Sequence, residues 1–141
     1  MAAFTKFNTF IEVLAEAGIN LGSDTLRIAL TNTAPTAATD AGFLPGSSHP
    51  APAAANGYSV TQATISSSAQ TGGTYKLVLA DVVFTATAGG IGPFRYVLLY
   101  DDSHGSDQLI GFYDYGSSIT LAVSETFTVD FDPTNGVLTI A

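Results

Sequence analysis

A chain of 141 residues is the length of a single domain, and roughly two-thirds of the surface its unfolded form exposes can be buried in a core. Only 11% of the residues are charged, against about 25% in an average soluble domain, and four basic residues face twelve carboxylates for a net charge of −8. This excludes a basic groove that tracks nucleic-acid phosphates; the absence of cysteine excludes a disulfide framework and a thiolate metal site.

The opening residues, Met-Ala-Ala-Phe-Thr-Lys-Phe, lack the charged-then-apolar profile of a signal peptide. No run approaches the roughly 18 consecutive apolar residues of a membrane span. The expectation is a soluble chain, made in a reducing compartment, with neither a membrane nor a nucleic acid as partner. Thr, Ser, Ala and Gly replace charges on the surface. Either this is a neutral β-protein exterior, or neighbouring subunits cover it, where lysines and glutamates would be desolvated at a cost.

Residues 4–17, FTKFNTFIEVLAEA, carry the only helical pattern. Phe4, Phe7, Ile11 and Leu14 recur at spacings of three and four, and Phe10 and Val13 widen the face. Gly18 is expected at the left-handed cap position, with Ile19 folding back onto Leu14. The face through Phe4 and Phe7 has two uses, packing on the chain's own sheet or docking on a partner.

Everything after Asn20 reads as strands. TLRIALT alternates, with Leu26, Ile28 and Leu30 inward and Thr25, Arg27 and Thr31 outward. GYSVTQATIS, YKLVLA, VVFTATA, FRYVLLY, QLIGFYDY, SITLAV, TFTVDF and GVLTI continue the series. Gly72-Gly73, Gly89-Gly90 and Asn135-Gly136 are hairpin signals. Eight or nine short strands with such punctuation predict one all-β domain over 1–141, an antiparallel β-sandwich of jelly-roll type with a single amino-terminal helix.

Residues 32–56, NTAPTAATDAGFLPGSSHPAPAAAN, hold four of the six prolines and no periodicity. The segment is either an extended arm lying over a neighbour or a mobile surface loop. Phe43 and Leu44 are the apolar anchors an arm would use, and the arm is the expectation. His49, beside Pro50, looks incidental.

GGIGPFRYVLLYDD, residues 89–102, tests for a phosphate loop. A dinucleotide fingerprint needs G-x-G-x-x-G ahead of a helix, and a P-loop needs Gly-Lys-Ser/Thr. Here Gly92 meets Pro93 and an apolar strand, so the stretch is a turn. Phe94, Tyr96, Leu98 and Tyr100 share one face of that strand; Arg95, Val97 and Leu99 share the other. With both faces mostly apolar, the strand is expected at the centre of its sheet.

DDSHGSD, residues 101–107, is the richest polar cluster. Asp101, Ser103 and Asp107 have calcium-loop spacing without the bidentate Glu or flanking helices of an EF-hand. His104 with Asp107 and nearby serines lacks the G-x-S-x-G elbow of a hydrolase. A solvated hairpin tip accounts for it. Asp114, Asp130 and Asp132 alternate with aromatics and read as outward, solubilising charges rather than glycosidase carboxylates. Neither a catalytic residue, a cofactor site nor a metal site is expected. Tyr113 and Tyr115, on one face of GFYDYG, are the candidate contacts of a tyrosine row, for a subunit interface or for stacking on sugar rings.

TLRIALTNTAPT, YKLVLADVVFTATAGGIGPFRYVLLYDD and LIGFYDYGSSITLAVSETFTVDFDPTNGVLTIA, with the leading MAAFTKFNTF, resemble a family of small virion structural proteins of tailed bacteriophages. The similarity spans most of the chain apart from roughly residues 36–56. The resemblance implies a non-enzymatic building block, assembled in the host bacterial cytoplasm and located in the virion. The acidic balance disfavours an inner surface against packaged DNA. The expected role is therefore a head decoration or cement protein. Its partners are the major capsid protein, or another virion protein, and further copies of itself as a dimer or trimer. A tail tube, adaptor or fibre-associated subunit, and a carbohydrate-binding jelly roll for host attachment, are the alternatives.

Overall fold

The computed structural model describes residues 2–43 and 49–141. Among them the chain runs β1 (Phe4–Lys6), α1 (Asn8–Ala15), β2 (Leu26–Thr31), β3 (Thr61–Gln62), β4 (Ile65–Thr71), β5 (Thr74–Leu79), β6 (Val82–Thr85), β7 (Ile91–Asp101), β8 (Gln108–Leu121), β9 (Thr126–Val129) and β10 (Leu138–Ile140). All pairing is antiparallel, in sheets ordered β1-β8-β7-β2-β3, β10-β5-β4 and β6-β9, none of them closed. The chain is mostly β with one short amino-terminal helix.

That helix has 8 residues, fewer than the 4–17 span its spacing predicts. Phe4–Lys6 forms a strand instead, with Phe4 opposite Tyr113 and Lys6 opposite Gly111. A β-carbon at Gly111 would collide with the Phe4 ring, so the glycine makes the seat for it. The edge of β8 satisfies backbone groups that a first helical turn would have left without partners. Phe7 then stands at the helix start, where its N–H donates to Ile110 O at 3.1 Å. Phe7 and Phe10 are completely buried, whereas Ile11, on the predicted apolar face, is 47% exposed.

The helix ends in a Schellman motif. Gly18 N–H donates to Val13 O at 2.8 Å and Ala17 N–H to Leu14 O at 3.2 Å. The left-handed residue is Ala17, with φ +59°, and not Gly18. Gly18 is demanded by space: a β-carbon there would lie 2.6 Å from Val13 Cγ1.

β7 is central, between β8 and β2, as its two apolar faces predict. Every residue from Tyr96 to Asp101 is buried. The strand starts before the proline, at Ile91; Pro93 lies where the register against β8 shifts, between Ile91 and Phe94. QLIGFYDY and SITLAV are a single strand, β8, whose register jumps between the Tyr96–Asp114 and Phe94–Ile119 pairs. Gly116, at φ +84°, sits in that jump. Thr31, expected outside, is fully buried and donates its hydroxyl to Pro50 O at 3.0 Å.

Of the three expected hairpins, only Gly72-Gly73 joins paired strands, β4 and β5. Gly89-Gly90 leads from β6 to β7, and Asn135-Gly136 from β9 to β10, each between different sheets. Residues 102–107 make the other hairpin, between β7 and β8.

Ring contacts connect the five-stranded sheet to the rest. Phe94 of β7 meets Phe127 of β9 edge-on at 4.9 Å between centroids, Tyr115 meets Phe127 at 5.1 Å, and Tyr113 meets Phe131 at 6.1 Å. Tyr58 meets Phe84 of β6 at 5.6 Å. Such pairs add about 0.5–1.5 kcal/mol each beyond the area they bury.

The 32–56 segment, where it is described, folds onto its own chain. Asn8 N–H donates to Ala37 O at 2.9 Å, Phe43 N–H to Asp107 O at 2.7 Å, and Leu109 N–H to Ala41 O at 2.7 Å. Phe43 is 1% exposed, its ring 4.6 Å from that of Tyr100. The anchor expected to reach a neighbour is seated in the chain's own core. His49 is buried too, with Nε2 3.0 Å from Asp40 Oδ2. Leu44, the second anchor, lies outside the described residues.

Candidate interaction surfaces

The 101–107 cluster is a hairpin tip with one buried member. Asp101 ends β7 and is fully buried; its Oδ1 accepts from Ser103 N–H at 2.8 Å. Ser103 Oγ accepts from Thr25 N–H at 2.8 Å, and Asp102 N–H donates to Thr25 O at 2.9 Å. Asp102 also pairs with Arg27 at 2.7 Å. His104 Nδ1 lies 3.0 Å from Ser106 Oγ, and among the described residues no side-chain bond joins it to Asp107. Nor, among those residues, do three His, Asp or Glu side chains gather to hold a metal ion. Burial pushes the Asp101 carboxyl up to about 6, Ser103 N–H opposes that rise, and the neighbouring Asp24 carboxylate adds to it.

The outer carboxylates are held by local partners. Asp114 takes two bonds from the Arg95 guanidinium, at 2.7 and 2.8 Å, and one from Gly116 N–H. The Arg95 bonds, then Gly116, hold its carboxyl below the usual range. Asp132 accepts from the backbone and side-chain amides of Asn135 and from Thr134 N–H, and is lowered likewise. Asp130 is exposed. These are surface and turn roles.

Five candidate contact residues can be placed. Phe7 and Phe43 belong to the core, and Tyr113 is 7% exposed, its ring tilted against Phe4 at 5.1 Å and Phe131 at 6.1 Å. Burial raises the Tyr113 hydroxyl well above the ordinary tyrosine range. Phe4 and Tyr115 are half-buried and packed on the same core. The alternation that put Tyr113 and Tyr115 on one face is correct, but that face turns toward Phe127 and Phe131.

What remains outside lies elsewhere. A concavity of about 430 Å³ opens between α1 and the β10-β5-β4 sheet, lined by Leu14, Ala17, Ile19, Ser68, Tyr75 and Ile140 among others. A second, of about 370 Å³, shares Leu14 and Ile140 and adds Ile11 and Ala15. Val83 and Val123, 57% and 58% exposed, are separate apolar points. The outer strand β4 is exposed except at Ile65 and Ser68, which are half-buried. One sequence signal includes β4: no Asp, Glu, Lys or Arg occurs from Ala41 to Tyr75. No protein-family model, curated protein or solved structure matches the chain.

Proposed function

We propose that the chain is a non-enzymatic structural protein of a tailed-bacteriophage virion, a head decoration or cement protein that binds the outer capsid surface and stabilises the shell. The carrying observation is the distribution of charge over a well-packed β scaffold. The stretch from Ala41 to Tyr75 has no Asp, Glu, Lys or Arg, and it includes β4, of whose seven residues five are exposed. Burying such surface against another subunit avoids the desolvation penalty that charged side chains impose.

The packing supports this reading over sugar recognition. A sugar-binding row needs open aromatic faces, and Tyr113 and Tyr115 have theirs against Phe4, Phe127 and Phe131. The carboxylates that a hydrolase would need are engaged in surface ion pairs and turns, at Asp102, Asp114 and Asp132. The ring contacts of Phe94 and Tyr115 with Phe127, between two antiparallel sheets, fit a β-sandwich, for which the jelly-roll connectivity is our reading.

Multivalency over many equivalent capsid sites lets modest affinity per contact hold such a subunit in place. A density map of the particle tests the assignment. Density for this chain on the outer face of the head, at seams between capsid subunits, is expected. Density confined to the tail would replace the cement role with the tail-subunit one.

A further inference from the structure

We propose that two copies of this chain pair through β4, edge to edge and antiparallel across a two-fold axis, so that the β10-β5-β4 sheet continues into its partner. This goes beyond the virion reading, and its test uses the purified chain alone, so either can fail without the other.

Among the described residues, β4 ends its sheet and pairs only with β5. The two-residue Gly72-Gly73 turn, both glycines at positive φ, makes Thr71 and Thr74 a hydrogen-bonded pair. By alternation Ala69 and Ser67 also direct their backbone groups to β5. Ser68 and Gln70 therefore direct theirs away from it, and no backbone bond from either to another element occurs among the described residues.

Proteins ordinarily protect such an edge with charge, proline, a short strand or a bulge. The other edges of this molecule have such devices. β1 and β10 are three residues long and β3 two; Lys6 lies on β1, Asp81 precedes β6, and Glu125 and Asp130 flank β9. β4 has seven residues, Ile-Ser-Ser-Ser-Ala-Gln-Thr, with neither a charge nor a proline, and its register shift is confined to the Ile65–Ser67 end.

A second copy is the occupant because self-pairing needs a strand that tolerates its own image. On a molecule of net charge −8 most surfaces repel a copy, whereas this uncharged strand sets no like charges opposite each other. Centring the axis at Ser68 returns its N–H and C=O to those of the same residue in the copy. The concavity of about 430 Å³ beside Ser68 and Tyr75 adds adjoining surface for the copy to cover. The outer face of the strand, through Ser67 and Ala69, is exposed, while the Asn20–Gly22 turn lies beside Ser68 on the other face.

The experiment is sedimentation equilibrium of the purified chain with amide hydrogen exchange, at concentrations up to roughly 100 µM. The expected result is about twice the 14.5 kDa monomer mass, with protection of the Ser68 and Gln70 amides rising with concentration. Ser67→Lys with Ala69→Lys sets lysines around the axis on an exposed face and should return the monomer, with the far-UV spectrum unchanged. Val83→Lys, at a different edge, should leave the dimer intact. A monomer throughout, a dimer indifferent to the double lysine variant, or one broken by Val83→Lys instead would overturn the proposal. So would Ser68 and Gln70 amides that exchange equally fast at every concentration.

Discussion

The carboxylate of Asp24 lies against that of Asp101, where the turn after α1 meets the end of β7. Asp101 is fully buried, its Oδ2 has no hydrogen-bond donor among the described residues, and Asp24 Oδ2 is already taken by Asn20 N–H. Arg27, bound to Asp102, is the nearby cation, Asp107 is a further carboxylate of the hairpin, and the His104 backbone N–H faces Asp101.

This pair makes stability depend on pH in a stated direction. The Asp101 carboxyl is raised from 3.8 to about 6, so the folded chain keeps a proton that the unfolded chain releases. Its stabilising effect is complete below the unfolded value and is lost as pH rises through about 6. Asp101→Asn retains the acceptor for Ser103 N–H and offers Asp24 a permanent donor. The variant should exceed the parent by roughly 1–2 kcal/mol at pH 7, solvent near the hairpin reducing the full linkage value, and should match it near pH 4. Urea titrations at the two pH values check this; a variant less stable than the parent at both would contradict it.

At the helix end, opposite outcomes are expected from adjacent residues. Ala17 holds φ +59°, where glycine is unstrained, so Ala17→Gly should be neutral or stabilise by up to about 1 kcal/mol. Gly18→Ala should destabilise, because the added carbon meets Val13 Cγ1 and Val13 O at 2.6 and 3.1 Å. Thermal melts of the two variants decide whether the cap is placed as described.

The contact between sheets gives a third expectation. Phe94 is fully buried and meets Phe127 edge-on, so Phe94→Ala should cost about 3–5 kcal/mol. Phe127 is half-buried, and Phe127→Ala should cost less. Equal, small losses in denaturant titrations would mean that the five-stranded sheet does not rest on β9.

How much of this was legible in the residues follows from where the deciding contacts lie. β7 announced its central place because burial on both faces leaves an apolar run that any reader of the chain can see. The short helix did not, since Phe4 and Phe7 have helical spacing and only the distant edge of β8 claims Phe4 for a strand. Gly-Gly and Asn-Gly report a turn, but not whether the strands on either side pair. Alternation puts Tyr113 and Tyr115 on one face; Phe127 and Phe131, which pack on that face, come from farther along the chain. Phe43 illustrates the same limit, as an apolar residue in a proline-rich segment serves an arm or a core equally well. The Asp24–Asp101 pair had no local signal, whereas the uncharged run behind β4 was visible throughout.

The central claim is that this chain works by binding a phage shell through neutral surface. Co-sedimentation of the purified chain with undecorated capsids of the tailed phage proposed to encode it tests that claim most directly. Binding should saturate at a fixed ratio to the symmetry-equivalent capsid sites and change little with added salt, since few charges take part. Absence of saturable binding to the shell, or affinity that collapses as salt is raised, would contradict the account.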